Sequence, residues 1–312
     1  MKDIMVNQRY RIDRKIGEGG FGLVYSGTDI QSGEELAIKL ENVRNGQETL
    51  KNEVNFYKAL SGGVGIPRVR WYGEECDFYV MIHDLLGPSL EDLFDYCERE
   101  FSLKTVLLLA DQLICRMRHI HSKSLIHRDI KPENFLMGSG RKGNIVYTID
   151  FGLAKQSIGR MAQQVNRYGN HRRRLGGTSR YASLQNHQGH EQSWGDDMES
   201  LGYMLVYFAR GSLPWQDLNA TTDIELDEKI GQVKASLSGE ELCAGLPDEF
   251  AKYINYTRSL RFGERPNYTR LRRDFSRLFV KLGLKYDQVF DWTERLFYEL
   301  QEHCSATRPA ER

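Results

Sequence analysis

The chain has 312 residues, 40% of them hydrophobic, and 43 Lys+Arg balance 43 Asp+Glu to a formal net charge of +0. That length and apolar content can bury a sizeable core in one large domain or two packed lobes. The even balance excludes a global pull toward nucleic acid or an acidic membrane surface and leaves electrostatic steering to local patches.

In chain order, residues 10–30 read as two strands, Tyr10–Ile16 and Leu23–Thr28, around a glycine-rich turn, and a third strand, Glu35–Leu40, follows Ser32-Gly33. Leu50, Val54, Phe56 and Tyr57 recur at helical spacing between Gly46 and Leu60. Two short strands, Arg68–Trp71 and Phe78–His83, complete a small sheet, and Leu85-Leu86-Gly87-Pro88 reads as a hinge. Beyond it the pattern turns helical. Leu103–His121 is the clearest case, with Leu107, Ala110, Leu113, Ile114 and Met117 on one face, and Met204–Phe208 and Phe250–Leu260 read alike. The expected architecture is α+β and bilobal: residues 1–86 form a small β-rich lobe with one helix, 87–300 a larger helical lobe, and 301–312 a short tail. Met1–Arg9 has no apolar signal core, no run reaches the ~18 apolar residues of a membrane span, and Ala306–Arg312 has no lipidation cysteine. Cys76, Cys97, Cys115, Cys243 and Cys304 are scattered without metal-type spacing. Reduced thiols, a cytoplasmic or nuclear compartment, and a monomer by default are the expectation.

Gly17-Glu18-Gly19-Gly20-Phe21-Gly22, with Val24 beyond it, fits G-x-G-x-x-G. Gly17, Gly19 and Gly22 let backbone approach phosphate oxygens with no Cβ in the way, although a plain hairpin turn satisfies the same string. Its place between two strands argues against a Rossmann site. Lys39 in Ala37-Ile38-Lys39 stands on the next strand, and Glu53 on the following helix is its candidate partner for holding an ammonium against the α/β-phosphates. Taken singly, Lys39 reads as an edge lysine and Glu53 as a surface charge.

His127-Arg128-Asp129-Ile130-Lys131-Pro132-Glu133-Asn134 fits H-R-D-x-K-P-x-N. In phosphoryl transfer Asp129 takes the proton of the attacking hydroxyl and Lys131 sits on the γ-phosphate. Asn134, five residues past Asp129, ligates magnesium. A strand over Ile145–Ile149 then ends in Asp150-Phe151-Gly152, where Asp150 would bridge magnesium to the phosphates and Phe151 would pack inward. An isolated D-x-G is otherwise a strand-end turn.

The chain resembles the casein kinase 1 family of serine/threonine protein kinases. The resemblance rests on Gly177-Thr178-Ser179-Arg180-Tyr181-Ala182-Ser183 in place of Ala-Pro-Glu, and on Gly62–Pro67, Leu85–Phe94, Asn134–Gly138, Glu199–Tyr203 and Gly211–Trp215. It spans roughly residues 10 to 292. It implies ATP and Mg2+ as cofactors and adenine between Ile16, Val24, Ala37, Leu136 and Ile149. The hinge backbone at Asp84 and Leu86 would bond the adenine, and Asp197 would brace the catalytic loop. Protein substrates with acidic or phosphorylated segments are implied as partners, with no nucleic acid and no membrane.

Three departures stand out. His83 occupies the gatekeeper position, where the family usually has methionine; a satisfied back-wall histidine and a selectivity role both fit. Arg180 of the family's phosphate site is present, but Asp217 and Leu226 align with its glycine and lysine, and Asp223–Glu228 is acidic. Residues 155–180 contain no acid and carry Lys155, Arg160, Arg167, Arg172, Arg173, Arg174 and Arg180, a run beside Arg128. A solvated face or a nuclear signal are the plain readings; an anion-binding surface of Arg128, Lys155, Arg172, Arg173 and Arg180 is the functional one. A pseudokinase scaffold is the alternative to an enzyme, and a small-molecule kinase of the same fold is a further one. Tau-tubulin-type and vaccinia-related-type kinases are the nearest relatives to confuse it with.

Overall fold

A computed structural model describes residues 4–19, 22–45, 49–157 and 175–306. The N-terminal lobe is one antiparallel six-stranded sheet. Its strands are β1 (Met5–Val6), β2 (Tyr10–Gly19), β3 (Gly22–Asp29), β4 (Glu35–Asn42), β5 (Val69–Glu75) and β6 (Phe78–Asp84), in the order β1-β2-β3-β4-β6-β5. Alternation along β4 and β6 places Leu36, Ile38, Val80 and Ile82 in a small core with Val6 and Tyr10. Helix α1 (Thr49–Leu60) lies against β5 and β6. Its buried Leu50, Val54 and Tyr57 join Met81 in the main core, which continues into the second lobe.

The register Ala37↔His83 and Leu36↔Asp84 carries β6 into the hinge. Pro88 is followed at once by a capping box: Ser89 Oγ and N–H both donate to Asp92 Oδ2, at 2.7 and 2.9 Å, and the Asp92 N–H returns to Ser89 Oγ. That box starts α2 (Leu90–Tyr96), a helix the apolar spacing did not announce.

The C-terminal lobe is built on α3 (Leu103–Ser122) and two small two-stranded sheets. In these sheets β7 (Leu125–Ile126) pairs with β10 (Lys155–Gln156), and β8 (Phe135–Met137) with β9 (Val146–Thr148). Helices α4 (Leu184–His187), α5 (Trp194–Arg210), α6 (Asp223–Ser236), α7 (Gly239–Leu242), α8 (Asp248–Ser259), α9 (Tyr268–Lys281) and α10 (Asp291–Ala306) follow. The Met204–Phe208 patch belongs to α5, which is buried from Trp194 to Phe208 and is therefore hydrophobic all round rather than amphipathic. The acidic stretch Asp223–Glu228 forms the first turns of α6 behind the N-cap Thr222, where carboxylates meet the positive end of the helix. Among the described residues no helix is long and apolar enough to cross a membrane.

Candidate active site

The site begins with a lysine that the sheet buries. Lys39 Nζ lies 2.8 Å from Glu53 Oε2 on α1 and 3.0 Å from Asp150 Oδ1 beyond β9. Burial opposes the lysine's charge, but the two carboxylates outweigh it and hold its pKa above the ordinary value. Burial likewise works against the Asp150 carboxylate, and Lys39 holds it below the usual range. Glu53 is pushed up by burial, with Lys39 pulling the other way. Together the three residues connect sheet, helix and the far lobe.

Asp129 is held from both sides. Its Oδ1 accepts from the Thr178 N–H at 3.0 Å and from Thr178 Oγ1 at 2.9 Å. Its Oδ2 stands 2.7 Å from Lys131 Nζ and 3.2 Å from Asn134 Nδ2. Asn134 Nδ2 also donates to the Asp129 carbonyl at 2.8 Å. Burial disfavours the Lys131 charge, and Asp129 more than restores it, raising its pKa. Gly177 makes the Thr178 contact reachable: its φ is +82°, and a Cβ there would sit 2.5 Å from the Arg128 carbonyl and 3.1 Å from Asp129 Oδ1.

The loop that carries Asp129 is strained and clamped, and the turn after β9 is strained as well. Arg128 has φ +68° and Asp150 has φ +61°. Asp197 accepts from the His127 N–H at 2.8 Å and the Arg128 N–H at 2.9 Å, and its Oδ2 also meets His121 Nε2 at 2.8 Å. His121 Nδ1 in turn contacts Tyr268 Oη at 2.7 Å. Burial opposes the Asp197 charge, yet the His121 contact holds its pKa low. Phe151 is fully buried, with ring centroids 5.0 Å from Tyr57 and 5.0 Å from His127. Tyr57 Oη accepts from the Asp150 N–H at 3.1 Å.

The residues expected to wall the adenine differ in exposure. Ala37 is buried beside His83, Val24, Leu136 and Ile149 are half-buried, and Ile16 is 45% exposed at the rim. At the hinge the Asp84 carbonyl accepts from His83 Nδ1 at 2.9 Å, and the Asp84 carboxylate is held by Arg70 and the Arg68 N–H. Burial lowers the His83 pKa, so the ring is neutral and Nδ1 carries the proton. No described acceptor takes the Leu86 N–H. At the glycine turn, Gly17 and Gly19 lie on β2 and Gly22 opens β3. Gly22 has φ +131°, and a Cβ there would lie 2.1 Å from the Leu40 carbonyl.

The cationic surface is less uniform than the sequence suggests. Lys155 Nζ is paired with Glu191 Oε1 at 2.5 Å, so its charge is compensated, because the following segment supplies an acid from outside the acid-free run. Arg128 Nε donates to the Leu153 carbonyl at 2.6 Å, tying it to the segment behind Asp150. The Arg180 guanidinium lies 5.9 Å from both the Tyr181 and Tyr207 rings. Leu226 packs partly buried against the core, and Asp217 is exposed. Arg160, Arg167, Arg172, Arg173 and Arg174 lie outside the described residues.

Sequence reasoning did not assign roles to Thr178, Tyr57 or Glu191. Thr178 lies within the quoted Gly-Thr string, but its pairing with Asp129 spans 49 residues and leaves no local spacing to read. The donor set suits a nucleotide with magnesium. Asp150 and Asn134 offer hard oxygen donors beside a lysine, and a hinge N–H is available. The family model for the protein kinase domain matches residues 10–272, from β2 through the start of α9.

Proposed function

Since this chain belongs to the protein kinase domain family, we propose that it is an active serine/threonine kinase of the casein kinase 1 kind, moving the γ-phosphate of ATP to acidic or phosphorylated proteins. One observation carries the reading: the Lys39–Glu53–Asp150 and Asp129–Lys131–Thr178 contacts are closed in the same structure. Phosphoryl transfer requires the lysine–glutamate pair and the metal-binding aspartate in place together.

ATP with Mg2+, when bound, supplies the phosphoryl group and neutralises its charge. Lys39 would orient the nucleotide phosphates, and Asp150 and Asn134 would hold the metal. Asp129 takes the proton of the incoming hydroxyl from an orientation fixed by Thr178 and Asn134, and Lys131 meets the charge that develops on the transferred group. Lys131 two residues past Asp129 favours serine and threonine over tyrosine.

The phosphate-recognition side supports a shifted preference. Arg180 stands without a lysine at Leu226, and Asp217 opposes a phosphate by about 1 kcal/mol or a few at partly screened distance. With Lys155 paired to Glu191, acidic substrates are met chiefly by Arg180, Arg128 and the arginines upstream of Leu175. Action as a monomer in the cytoplasm or nucleus completes the proposal. The test is a set of peptides alike except for serine, threonine or tyrosine at the acceptor, and for acidic, neutral or pre-phosphorylated flanks, assayed at several salt concentrations. Serine and threonine transfer with a salt-sensitive preference for acidic flanks is expected. A strong preference for tyrosine, or for pre-phosphorylated over acidic flanks, would contradict it.

A further inference from the structure

Lys234 on α6 has no solvent exposure, yet it forms no carboxylate hydrogen bond among the described residues. Its Nζ lies 2.8 Å from the Ser179 carbonyl, 2.7 Å from the Ala182 carbonyl and 3.1 Å from His187 Nε2. The ring centroids of Tyr203 and Trp215 are each 5.0 Å away. The two carbonyls can only accept, so Lys234 donates an N–H to each; the third contact closes in either protonation state, because a charged amine donates to His187 Nε2 and a neutral one accepts from its N–H. The two ring faces pack against the same group. Burial pushes the group toward neutrality, Glu199 and Asp227 favour its charge through space, and Arg258 opposes it. The net effect holds its pKa well below the ordinary value, and the N–H bonds to the two carbonyls do not depend on the charge. Burial lowers the His187 pKa to about 4, so its ring is neutral.

The two carbonyls bracket Arg180 and Tyr181. The carbonyl between them, that of Arg180, accepts from Trp215 Nε1 at 2.8 Å. Three carbonyls of the loop that follows Thr178 are thus taken from one side by Lys234 and by a ring stacked near it. On the other side Thr178 holds Asp129. No Ala-Pro-Glu closes this segment.

We propose that Lys234 is the positioning residue of the substrate loop: its amino group clamps the Ser179 and Ala182 carbonyls to α6, and so sets where Thr178 meets Asp129 and where Arg180 faces an incoming substrate. The kinetic consequence rests on the phosphoryl-transfer reading above; the clamp itself does not.

Lys234→Met keeps the length and removes every donor. Without nucleotide or peptide, its amides over 177–184 are expected to exchange with deuterium at least about tenfold faster than in the parent protein, with α3 and α5 unaltered. Peptide KM is expected to rise about tenfold or more, while ATP affinity, measured by direct nucleotide binding, stays within about twofold. If Lys234→Met does not fold, His187→Ala removes one hydrogen-bond partner and leaves the lysine. It is expected to raise loop exchange and peptide KM about threefold each, and to add nothing on top of a folded Lys234→Met. A lowered melting temperature with parental loop exchange and parental peptide KM would overturn the proposal. If the parent protein transfers no phosphate, the functional reading fails, and the exchange comparison still decides the clamp: faster loop exchange upholds it and unchanged exchange overturns it.

Discussion

Thr178→Val removes one hydroxyl and little else. Thr178 Oγ1 donates to Asp129 Oδ1 at 2.9 Å, while the backbone N–H at 3.0 Å survives the substitution. Valine keeps the β-branched shape, so the loop should stay in place. A hydrogen bond to a charged group contributes about 1.5–3 kcal/mol, and about 1.4 kcal/mol is tenfold in rate. With the N–H still holding the carboxylate, the lower half of that range applies, and kcat on an acidic serine peptide should fall about 10–50-fold. ATP affinity should hardly move, because no expected nucleotide contact involves Thr178. Thr178→Ser, which keeps the hydroxyl, should recover most of the loss. Steady-state phosphorylation with a separate nucleotide-binding titration reads both quantities. A kcat within twofold of the parent, or an equal loss in Thr178→Ser, would refute the assignment of Thr178 as the residue that orients Asp129.

At the hinge, replacing the neutral, hydrogen-bonded His83 with a flexible apolar chain should strengthen binding of ATP-competitive inhibitors that fill the back pocket. Unchanged affinity in His83→Met would contradict a selectivity role for the ring. Gly177→Ala brings a Cβ to 2.5 Å from the Arg128 carbonyl at a φ of +82°, so transfer should drop by at least an order of magnitude. Near-parental activity would show that the loop reaches Asp129 by another path. Burial raises the Asp196 carboxyl to about 6, while Ser183 Oγ and the Ser193 N–H donate to it. Between about pH 4 and about pH 6 the folded state keeps a proton that the unfolded chain has lost, so this group's contribution to stability declines as pH rises and is level above that window. Relative to Asp196→Asn, the parent protein should lose on the order of 3 kcal/mol across it in denaturant unfolding. A pH-independent difference would contradict the raised pKa.

What could be read in the sequence were arrangements set by the chain itself. Lys131 and Asn134 share one short loop with Asp129, so their spacing alone places them around one carboxylate. Apolar spacing located α1 and α3, whose buried stripes run unbroken. The missed features depend on distant segments meeting. Thr178 reaches Asp129 across the activation segment, Glu191 reaches back to Lys155, and Lys234 finds its three partners in the loop after Thr178 and in α4. Helix α6 was read as an acidic stretch because its apolar residues are sparse, whereas its capped, acid-rich start is the favourable end of a helix. Helix α5 yielded only a fragment, since a fully buried helix has no polar face to mark its period. His83 was noticed as a departure, but its bond to the Asp84 carbonyl depends on a ring orientation that sequence does not carry.

The most direct test of the central claim is single-turnover transfer of the ATP γ-phosphate to an acidic serine peptide, comparing the parent protein with Asp129→Asn, with nucleotide binding measured in parallel. Transfer by the parent that falls about a thousandfold or more in Asp129→Asn, with ATP binding retained in both, is the predicted result. ATP bound by both proteins with no transfer from either, on acidic, neutral and pre-phosphorylated peptides alike, would contradict it and leave a nucleotide-binding scaffold.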